Sequence, residues 1–346
     1  MMKKKLQVNY RTINLPFTHP FTISKGTKTH QPALVVELDF FGVKGYGEAP
    51  AITYYHIPVE KMIADLEAKR PWIESYSFND PERFWHYLHH LIPENNFLIC
   101  ALDMAGWDLY GKLKKMPLYQ LWALDPAHAP LTDFTIGIDD AEVMVKKMKE
   151  KPWPIYKIKM GGKGDVELLE NLRKHTDAIF RVDVNGGWSA EEARKKIPLL
   201  AGLGVQLVEQ PLAKDDWDGM KNLFELSGLP LIADEACVKE EDVLKCAGYF
   251  HGINIKLTKC GGITPALRMI KKARELNLQV MLGCMNESSI GTAALAHLAP
   301  LADFLDMDGP LLLSEDAASG PSMKDGVYAY NQEPGLGINT NLFKTT

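Results

Sequence analysis

The chain has 346 residues, a mass of 38.7 kDa and a net charge of −5, so it is long enough for two domains and lacks the basic balance of a nucleic-acid-binding protein. No apolar run approaches the ~20 residues of a membrane span, and no apolar signal segment follows the basic start. Five scattered cysteines without a C-x-x-C spacing indicate reduced thiols. We therefore expect a cytoplasmic protein without a nucleic-acid or membrane partner.

The first part of the chain predicts an α+β domain over about residues 1–120. Alternating apolar residues predict strands, and apolar residues at helical spacing predict helices. The predicted elements are strands over 7–15, 33–40 and 44–48, and helices over 59–69, 80–91 and 96–113. Between the first two strands, residues 18–31 are polar and rich in threonine, and we interpret them as a mobile loop. Pro126 and Pro130 punctuate the connection to the next domain.

Five short apolar runs follow, and a charged residue ends each of them. These residues are Lys159, Asp183, Glu209, Asp234 and Lys256, at intervals of about 22 to 26 residues. Such intervals fit one strand, one crossover helix and two short loops, repeated. They predict a (β/α) barrel over residues 121–310, because parallel strands joined by helices close into a barrel whose reactive groups gather at the C-terminal rim.

Three of these strand ends are acidic and predict a metal site. The barrel would bring the carboxylates of Asp183, Glu209 and Asp234 to one point, where they repel one another unless a cation lies between them. Oxygen ligands favour Mg²⁺, and the lack of an accompanying Cys/His pairing argues against zinc. The alternative is that each acid is a strand-end cap or a member of a surface ion pair.

Two of the strand ends are basic, and they predict an acid/base pair. Lys157 and Lys159 lie two apart on one strand, so both side chains point to the same face. We expect the neighbouring ammonium and the dication to favour the neutral amine of Lys159. Lys256 comes from the far side of the ring, so one amine would remove a proton and the other would return it from the opposite face. The alternative is that these lysines neutralise the acid cluster.

These groups suit the removal of a proton next to a carboxylate. That proton is very weakly acidic, and its loss leaves an enediolate with two negative oxygens. A cation at the carboxylate stabilises the developing charge as a Lewis acid. Lysine bases with Mg²⁺ are a known solution to this chemistry.

At this point the motifs resemble a known family, the enolase superfamily, and within it the muconate-lactonizing subgroup. Five motifs agree with that family in order and spacing, and the resemblance covers nearly the whole chain. They are K-x-K at 157–159, D-x-N at 183–185, E-Q-P at 209–211, A-D-E at 233–235 and N-I-K-L-x-K-C-G-G-I at 254–263. Ala236 departs from the family, which often has serine there.

The resemblance implies a modified TIM barrel of the (β/α)7β type with an α+β N-terminal capping domain that the C-terminal segment, residues 311–346, returns to complete. It implies one Mg²⁺ per subunit, held by Asp183, Glu209 and Asp234, with Lys159 and Lys256 as the acid/base pair. It also implies that the 18–31 loop closes over the barrel mouth and helps to choose the substrate. Lys25 or Lys28 in that loop is a candidate to face an acidic side chain of the substrate, and the alternative is that both lysines are solvated.

One further motif narrows the expected substrate. Asp306 and Asp308 resemble the D-x-D with which dipeptide epimerases hold the free ammonium of an N-terminal residue. Thr135 and Cys284 match positions of that family that contact the substrate, and Lys157 would also contact it. The alternative for the D-x-D is a polar loop after the last strand.

We therefore expect a Mg²⁺-dependent dipeptide epimerase that inverts the α-carbon of the C-terminal residue through an enediolate. The alternatives within the superfamily are a cycloisomerase, an o-succinylbenzoate synthase and an N-acylamino acid racemase. A non-catalytic metal-stabilised scaffold and a Schiff-base lysine aldolase are the alternatives from other classes. The helical outer surface of a barrel is compatible with a homo-oligomer, and the sequence does not specify the two side chains of the dipeptide.

Overall fold

The computed structural model describes residues 6–23, 26–162 and 164–344. It begins with an antiparallel sheet of three strands in the order β1-β2-β3, which comprise Gln7–Ile23, Gly26–Phe40 and Val43–Pro50. Alternating apolar residues of β2 lie in the core of this N-terminal domain, among them Leu34, Val36 and Leu38.

The interpretation of residues 18–31 as a long loop is wrong, because the described residues of this segment belong to two paired strands. β1 and β2 continue to pair up to Ile23 and Gly26, with a register shift between Pro16 and Phe21. Thr22 and Thr27 lie opposite one another, and their hydroxyls are 2.9 Å apart. Threonine is polar but β-branched, which suits it to a strand. Lys25 lies outside the described residues.

Four helices complete this domain: α1 Val59–Ser75, α2 Pro81–Leu91, α3 Asn96–Lys114 and α4 Leu118–Leu121. Asp80 caps α2, since its side chain accepts from Arg83 N. α1 continues past the predicted end at residue 69, with Pro71 inside the helix. The long α3 lies directly against β3, and a Cβ at Gly47 would approach Ala101 O at 2.0 Å. Glycine at this position therefore permits the close packing of helix on sheet.

Eight parallel strands form the barrel, in the order of the sequence. They are β4 Phe134–Ile136, β5 Ile155–Lys159, β6 Ile179–Asp183, β7 Val205–Glu209, β8 Leu231–Ala233, β9 Gly252–Ile255, β10 Gln279–Gly283 and β11 Phe304–Asp306. A parallel bridge between Thr132 and Leu305 joins the first strand to the last and closes the ring. The predicted fold class is confirmed, and the charged residues singled out above end β5, β6 and β7 or directly follow β8 and β9.

Helices connect and cover the strands. They are α5 Ala141–Glu150, α6 Asp165–Arg173, α7 Ala190–Gly202, α8 Trp217–Leu226, α9 Glu240–Cys246, α10 Leu257–Cys260, α11 Ile263–Glu275, α12 Ser289–Leu298 and α13 Gly309–Leu312. The seven residues of α9 are too few to show a helical period in the sequence. None of the described helices is both long and apolar enough to cross a membrane.

The C-terminal segment runs back along the N-terminal domain. It contains a short hairpin of β12 Met323–Lys324 and β13 Val327–Tyr328, and it is otherwise irregular. Leu336 N donates to Asp108 Oδ1 on α3 at 2.8 Å, and the ring of Phe343 stacks on Tyr46 at 5.8 Å. These contacts connect residues 311–344 with the sheet and with α3. The exact domain limits, 1–120, 121–310 and 311–346, stay a prediction.

Candidate active site

Strand register brings three acids together at the C-terminal rim of the barrel. Asp183 is the pairing partner of Glu209, and Asp234 comes two residues after Ile232, which pairs with Glu209. One side-chain oxygen from each acid lies within 4.8 Å of the others, and all three residues are buried. The parallel register thus converts three separate strand ends into one carboxylate cluster.

A different donor holds one oxygen of each acid. These contacts are Asn185 N to Asp183 Oδ1 at 3.0 Å, Asn254 Nδ2 to Glu209 Oε1 at 2.8 Å, and Lys259 Nζ to Asp234 Oδ1 at 2.6 Å. The second oxygen of each acid contacts a lysine, and Glu209 Oε2 has an ion-pair contact with Lys157 but no well-aligned hydrogen bond. The three carboxylates are buried and repel one another, and one of their oxygens lacks a well-aligned hydrogen bond. Such a set of oxygen ligands fits a hard dication such as Mg²⁺.

Besides Lys259, three further lysines contact this cluster. Lys159 Nζ lies 2.6 Å from Asp183 Oδ2, and Lys256 Nζ lies 2.8 Å from Asp234 Oδ2. Lys157 Nζ lies 3.0 Å from Asp183 Oδ2 and 2.8 Å from Glu209 Oε2 of this cluster. It also lies 2.7 Å from Oδ2 of a further acid, Asp306. Lys159 ends β5, and Lys256 directly follows β9. Three strands separate β5 from β9 in a ring of eight, so the two lysines come from opposite sides of the barrel.

The charges of the acids and the lysines shift one another's pKa values. Burial alone would lower the pKa of Lys157 and of Lys256, but the nearby carboxylates outweigh it and raise both pKa values well above the ordinary range. Burial raises the pKa of Glu209 to about 7, with a further contribution from Asp183. The acid cluster therefore favours the charged amines of Lys157 and Lys256. A bound dication would shift the balance toward neutral amines.

A second acidic cluster lies across the barrel mouth. Asp306 ends β11, Asp308 follows it, and their carboxylates lie within 4.8 Å of each other and of Cys284 Sγ. Asp308 Oδ2 accepts from Thr135 N at 2.5 Å, and Cys284 Sγ is 3.8 Å from Asp308 Oδ1. Burial, followed by the charge of Asp306, raises the pKa of Asp308 to about 7. The structure thus brings the four predicted residues Thr135, Cys284, Asp306 and Asp308 together.

Comparisons with known proteins agree with this geometry. The model described as "Mandelate racemase / muconate lactonizing enzyme, N-terminal domain" matches residues 6–122, and "Enolase C-terminal domain-like" matches residues 139–343. The chain belongs to the enolase superfamily. Its relatives include the L-Ala-D/L-amino acid epimerase of Flavobacterium johnsoniae, 49% identical over 95% of this chain and 98% of the relative. Another is the L-Ala-D/L-Glu epimerase of Bacteroides thetaiotaomicron, 36% identical over 96% and 88%.

Solved structures show the same likeness over nearly the whole length. The dipeptide epimerase from Enterococcus faecalis, complexed with Mg and the dipeptide L-Leu-L-Tyr, has a TM-score of 0.91 at 30% identity, covering 97% of this chain and 99% of that one. The substrate-liganded L-Ala-D/L-Glu epimerase from Bacillus subtilis has a TM-score of 0.91 at 28% identity, covering 97% and 98%. These comparisons confirm the resemblance that the motifs indicated.

Two supporting residues of this enolase-superfamily site were missed by the sequence analysis. Gln210 Oε1 accepts from Asp234 N at 3.0 Å and from Ala236 N at 3.1 Å, so it joins the ends of β7 and β8. The departure at Ala236 leaves this bond intact, since it uses the backbone. Lys259 is fully buried and its Nζ contacts both Asp234 O and Asp234 Oδ1 at 2.6 Å. Its position within the N-I-K-L-x-K motif was the available signal.

The N-terminal domain supplies the outer wall of the cavity that the lysines and acids described above line. The residues that it contributes are Phe21, Ile23, Lys28, Ile52, Tyr54 and Tyr55. Lys28 is partly buried, its Nζ is 3.3 Å from Gln31 Oε1, and burial lowers its pKa. Lys28 therefore faces the site from the hairpin. Glu287 is buried, and its burial, followed by the charge of Glu48, raises its pKa to about 8.

Proposed function

We propose that the protein is a Mg²⁺-dependent dipeptide epimerase that inverts the α-carbon of the C-terminal residue. The observation that carries this proposal is the placement of Lys159 and Lys256 on opposite sides of the ring, each against a different acid of the carboxylate cluster. Two bases on opposite sides of one carbon are what an inversion requires, because the proton leaves one face and returns to the other.

Asp183, Glu209 and Asp234 would hold the Mg²⁺ ion, and the substrate carboxylate would approach this cluster. When bound, the ion supplies positive charge that offsets the negative charge developing on that carboxylate. Lys157 adds a fixed positive charge beside the same acids, where the second oxygen of the enediolate would lie. Its role is to bind and to stabilise the substrate.

Lys159 and Lys256 carry the proton. The lysine that faces the α-hydrogen removes it from Cα, and the electron pair moves toward the carboxylate. The other lysine then donates a proton to the opposite face of Cα. Which of the two acts as the base depends on whether the C-terminal residue is L or D, so each lysine must serve in both roles.

Asp306 and Asp308 would hold the free ammonium of the N-terminal residue. Their carboxylates lie together, and Thr135 and Cys284 border them. An ammonium would favour the ionised form of Asp308, whose pKa is raised by burial in its absence. A negatively charged acyl group would be repelled here, which disfavours the N-succinylamino acid and o-succinylbenzoate chemistries found elsewhere in the superfamily.

The substrate side chains are proposed from the relatives. Those that share 49% identity are named for L-alanine followed by a variable residue, so L-Ala-L-X dipeptides are the first substrates to examine. Lys28 in the outer wall makes L-Ala-L-Glu an informative member of that set. The five buried thiols fit a reducing cytoplasm, and the oligomeric state stays a prediction.

The test is incubation of pooled L-Ala-L-X dipeptides with the Mg²⁺-loaded protein in D₂O, followed by mass spectrometry and chiral chromatography. We expect one deuterium at the C-terminal α-carbon and accumulation of the L,D product. N-succinylated amino acids and N-acetylated dipeptides serve as matched alternatives that lack the ammonium. Absence of exchange over a broad dipeptide set, or faster exchange of the N-succinylated compounds, would contradict the proposal.

A further inference from the structure

The segment that follows Lys256 is hydrogen-bonded to the N-terminal domain. Asp103 on α3 is fully buried and accepts from Thr264 N at 2.9 Å and from Thr264 Oγ1 at 2.7 Å. Trp107 Nε1, one turn further along α3, donates to the same Thr264 Oγ1 at 2.9 Å. Thr264 lies in the first turn of α11, so α3 holds the beginning of a barrel helix.

Two further side chains of the N-terminal domain hold the turn before that helix. Asn96 Nδ2 donates to Lys259 O at 2.9 Å, and Trp85 Nε1 donates to Gly261 O at 2.8 Å. The backbone at Gly262 has a φ of +124°, and a Cβ there would lie 2.3 Å from Asp103 Oδ2. Close approach of the turn to Asp103 thus depends on glycine at this position.

The same short segment carries two groups of the candidate site. Lys256 precedes α10, and its carbonyl oxygen accepts from Lys259 N at 3.0 Å and from Cys260 N at 3.2 Å. Lys259 in turn holds Asp234 Oδ1. One helical turn of backbone hydrogen bonds thus connects Lys256 with the segment that the N-terminal domain holds.

Lys159 is supported differently. The turn that follows it is held from within the barrel, since Asp165 Oδ1 accepts from Gly162 N at 3.0 Å and Asp165 Oδ2 accepts from Trp188 Nε1 at 2.6 Å. The two proposed bases thus have separate supports: Lys159 depends on barrel contacts and Lys256 on contacts with α2 and α3.

We infer that Asp103 is a positioning residue for Lys256, so that the N-terminal domain sets the efficiency of one of the two proton transfers. The inference rests on the proposed epimerase function. A displacement of about 1 Å costs up to 10²-fold in rate at a reacting group. Disturbing Asp103 should therefore slow proton removal by Lys256 more than proton removal by Lys159.

Epimerisation rates in the two directions do not separate the lysines, because the ratio of their kcat/KM values is fixed by the equilibrium constant. Initial loss of the α-proton into D₂O does separate them, since it reports removal by the lysine that faces the hydrogen of the chosen isomer. The L,L and L,D forms of one dipeptide are measured separately with the full-length, Mg²⁺-loaded protein. Lys159→Ala and Lys256→Ala identify which isomer each lysine serves.

The variants are Asp103→Asn and Thr264→Val, with Asp108→Asn as the matched control. Asp108 is also buried on α3 and accepts from backbone N–H groups, but those belong to Tyr46 and Leu336. We expect Asp103→Asn to lower proton loss from the Lys256 isomer at least tenfold relative to the Lys159 isomer, and Thr264→Val to shift the ratio in the same direction. Asp108→Asn should keep the wild-type ratio whatever it does to Tm.

A ratio within twofold of wild type in both Asp103→Asn and Thr264→Val, or a shift against the Lys159 isomer, overturns the inference. If Asp103→Asn does not fold, Thr264→Val decides the question, because it removes one hydroxyl and keeps the backbone bond to Asp103. Failure of the proposed function gives a different result, namely no exchange of either isomer by the wild-type protein.

Discussion

Lys256 Nζ lies 2.8 Å from Oδ2 of Asp234, while the other oxygen of that carboxylate is held by Lys259. Burial would raise the pKa of Asp234, but the two ammonium groups hold it well below its ordinary value. The two lysines therefore favour the ionised form of Asp234, with one oxygen held by Lys259 and the other next to Lys256. The arrangement couples a proposed base to a proposed metal ligand.

The first prediction concerns metal binding. Asp183→Asn removes one of the three anionic ligands, so Mg²⁺ affinity should fall at least about tenfold. Titration calorimetry measures this directly. The rise in Tm that Mg²⁺ produces in the wild type should shrink in parallel, because a ligand stabilises a protein only as far as it binds the folded state.

The control for this prediction is Asp139→Asn. Asp139 is an exposed carboxylate that pairs with Lys147 at 3.0 Å on the barrel surface. This variant should keep both the wild-type affinity and the Mg²⁺-dependent rise in Tm. Equal losses in the two variants would mean that the carboxylate cluster is not the metal site.

The second prediction concerns the ammonium of the substrate. Asp308→Asn removes a buried negative charge beside Asp306, and the lost charge-assisted hydrogen bond should raise KM for a free dipeptide by about tenfold, or ~1.4 kcal/mol. The preference for the free dipeptide over its N-acetyl form should shrink by a similar factor. Cys284→Ser, a neighbouring change without loss of charge, should retain that preference. An unchanged preference in Asp308→Asn would remove the carboxylate from ammonium binding.

The third prediction concerns stability at low pH. His297 on α12 is buried, its Nδ1 accepts from Tyr119 N at 3.2 Å, and burial lowers its pKa to about 4. The unfolded chain, with a histidine pKa near ~6.5, binds more protons between these two values. The free energy of unfolding should therefore fall as the pH drops from about 6.5 to about 4, with a contribution from His297 on the order of 3 kcal/mol.

Urea unfolding at pH 7 and pH 5 measures this dependence. His297→Gln keeps an acceptor for Tyr119 N but does not titrate, so its loss of stability over the same interval should be smaller than that of the wild type. Parallel loss in the two proteins would show that other groups cause the acid sensitivity.

The sequence predicted the core of the site because the relevant side chains lie at strand ends. Apolar runs that end in Lys159, Asp183 and Glu209 locate the C-terminal ends of β5, β6 and β7 to the residue. Parallel strands are buried on both faces, so a charged residue at the end of an apolar run is a clear signal. Regular spacing then places these ends side by side without any knowledge of side-chain contacts.

The parts that were missed depend on contacts distant in sequence or on an ambiguous local pattern. The polar threonines of residues 18–31 indicate a loop, yet the pairing of β1 with β2 continues to Ile23 and Gly26. The hydrogen bond between Gln210 and Asp234 joins residues 24 positions apart, and the one between Asp103 and Thr264 joins residues 161 positions apart. No local period encodes such bonds, so only the folded chain reveals which donor meets which acceptor.

The most direct test of the two-base account is α-proton loss into D₂O from the L,L and L,D forms of one dipeptide, measured with Lys159→Ala and Lys256→Ala. We expect each variant to keep exchange of one isomer and to lose exchange of the other, the two variants losing opposite isomers. Epimerisation should fall about 10²- to 10⁴-fold in both, as is usual when a general acid or base is removed. Loss of the same isomer in both variants, or wild-type exchange in the double variant, would contradict the account.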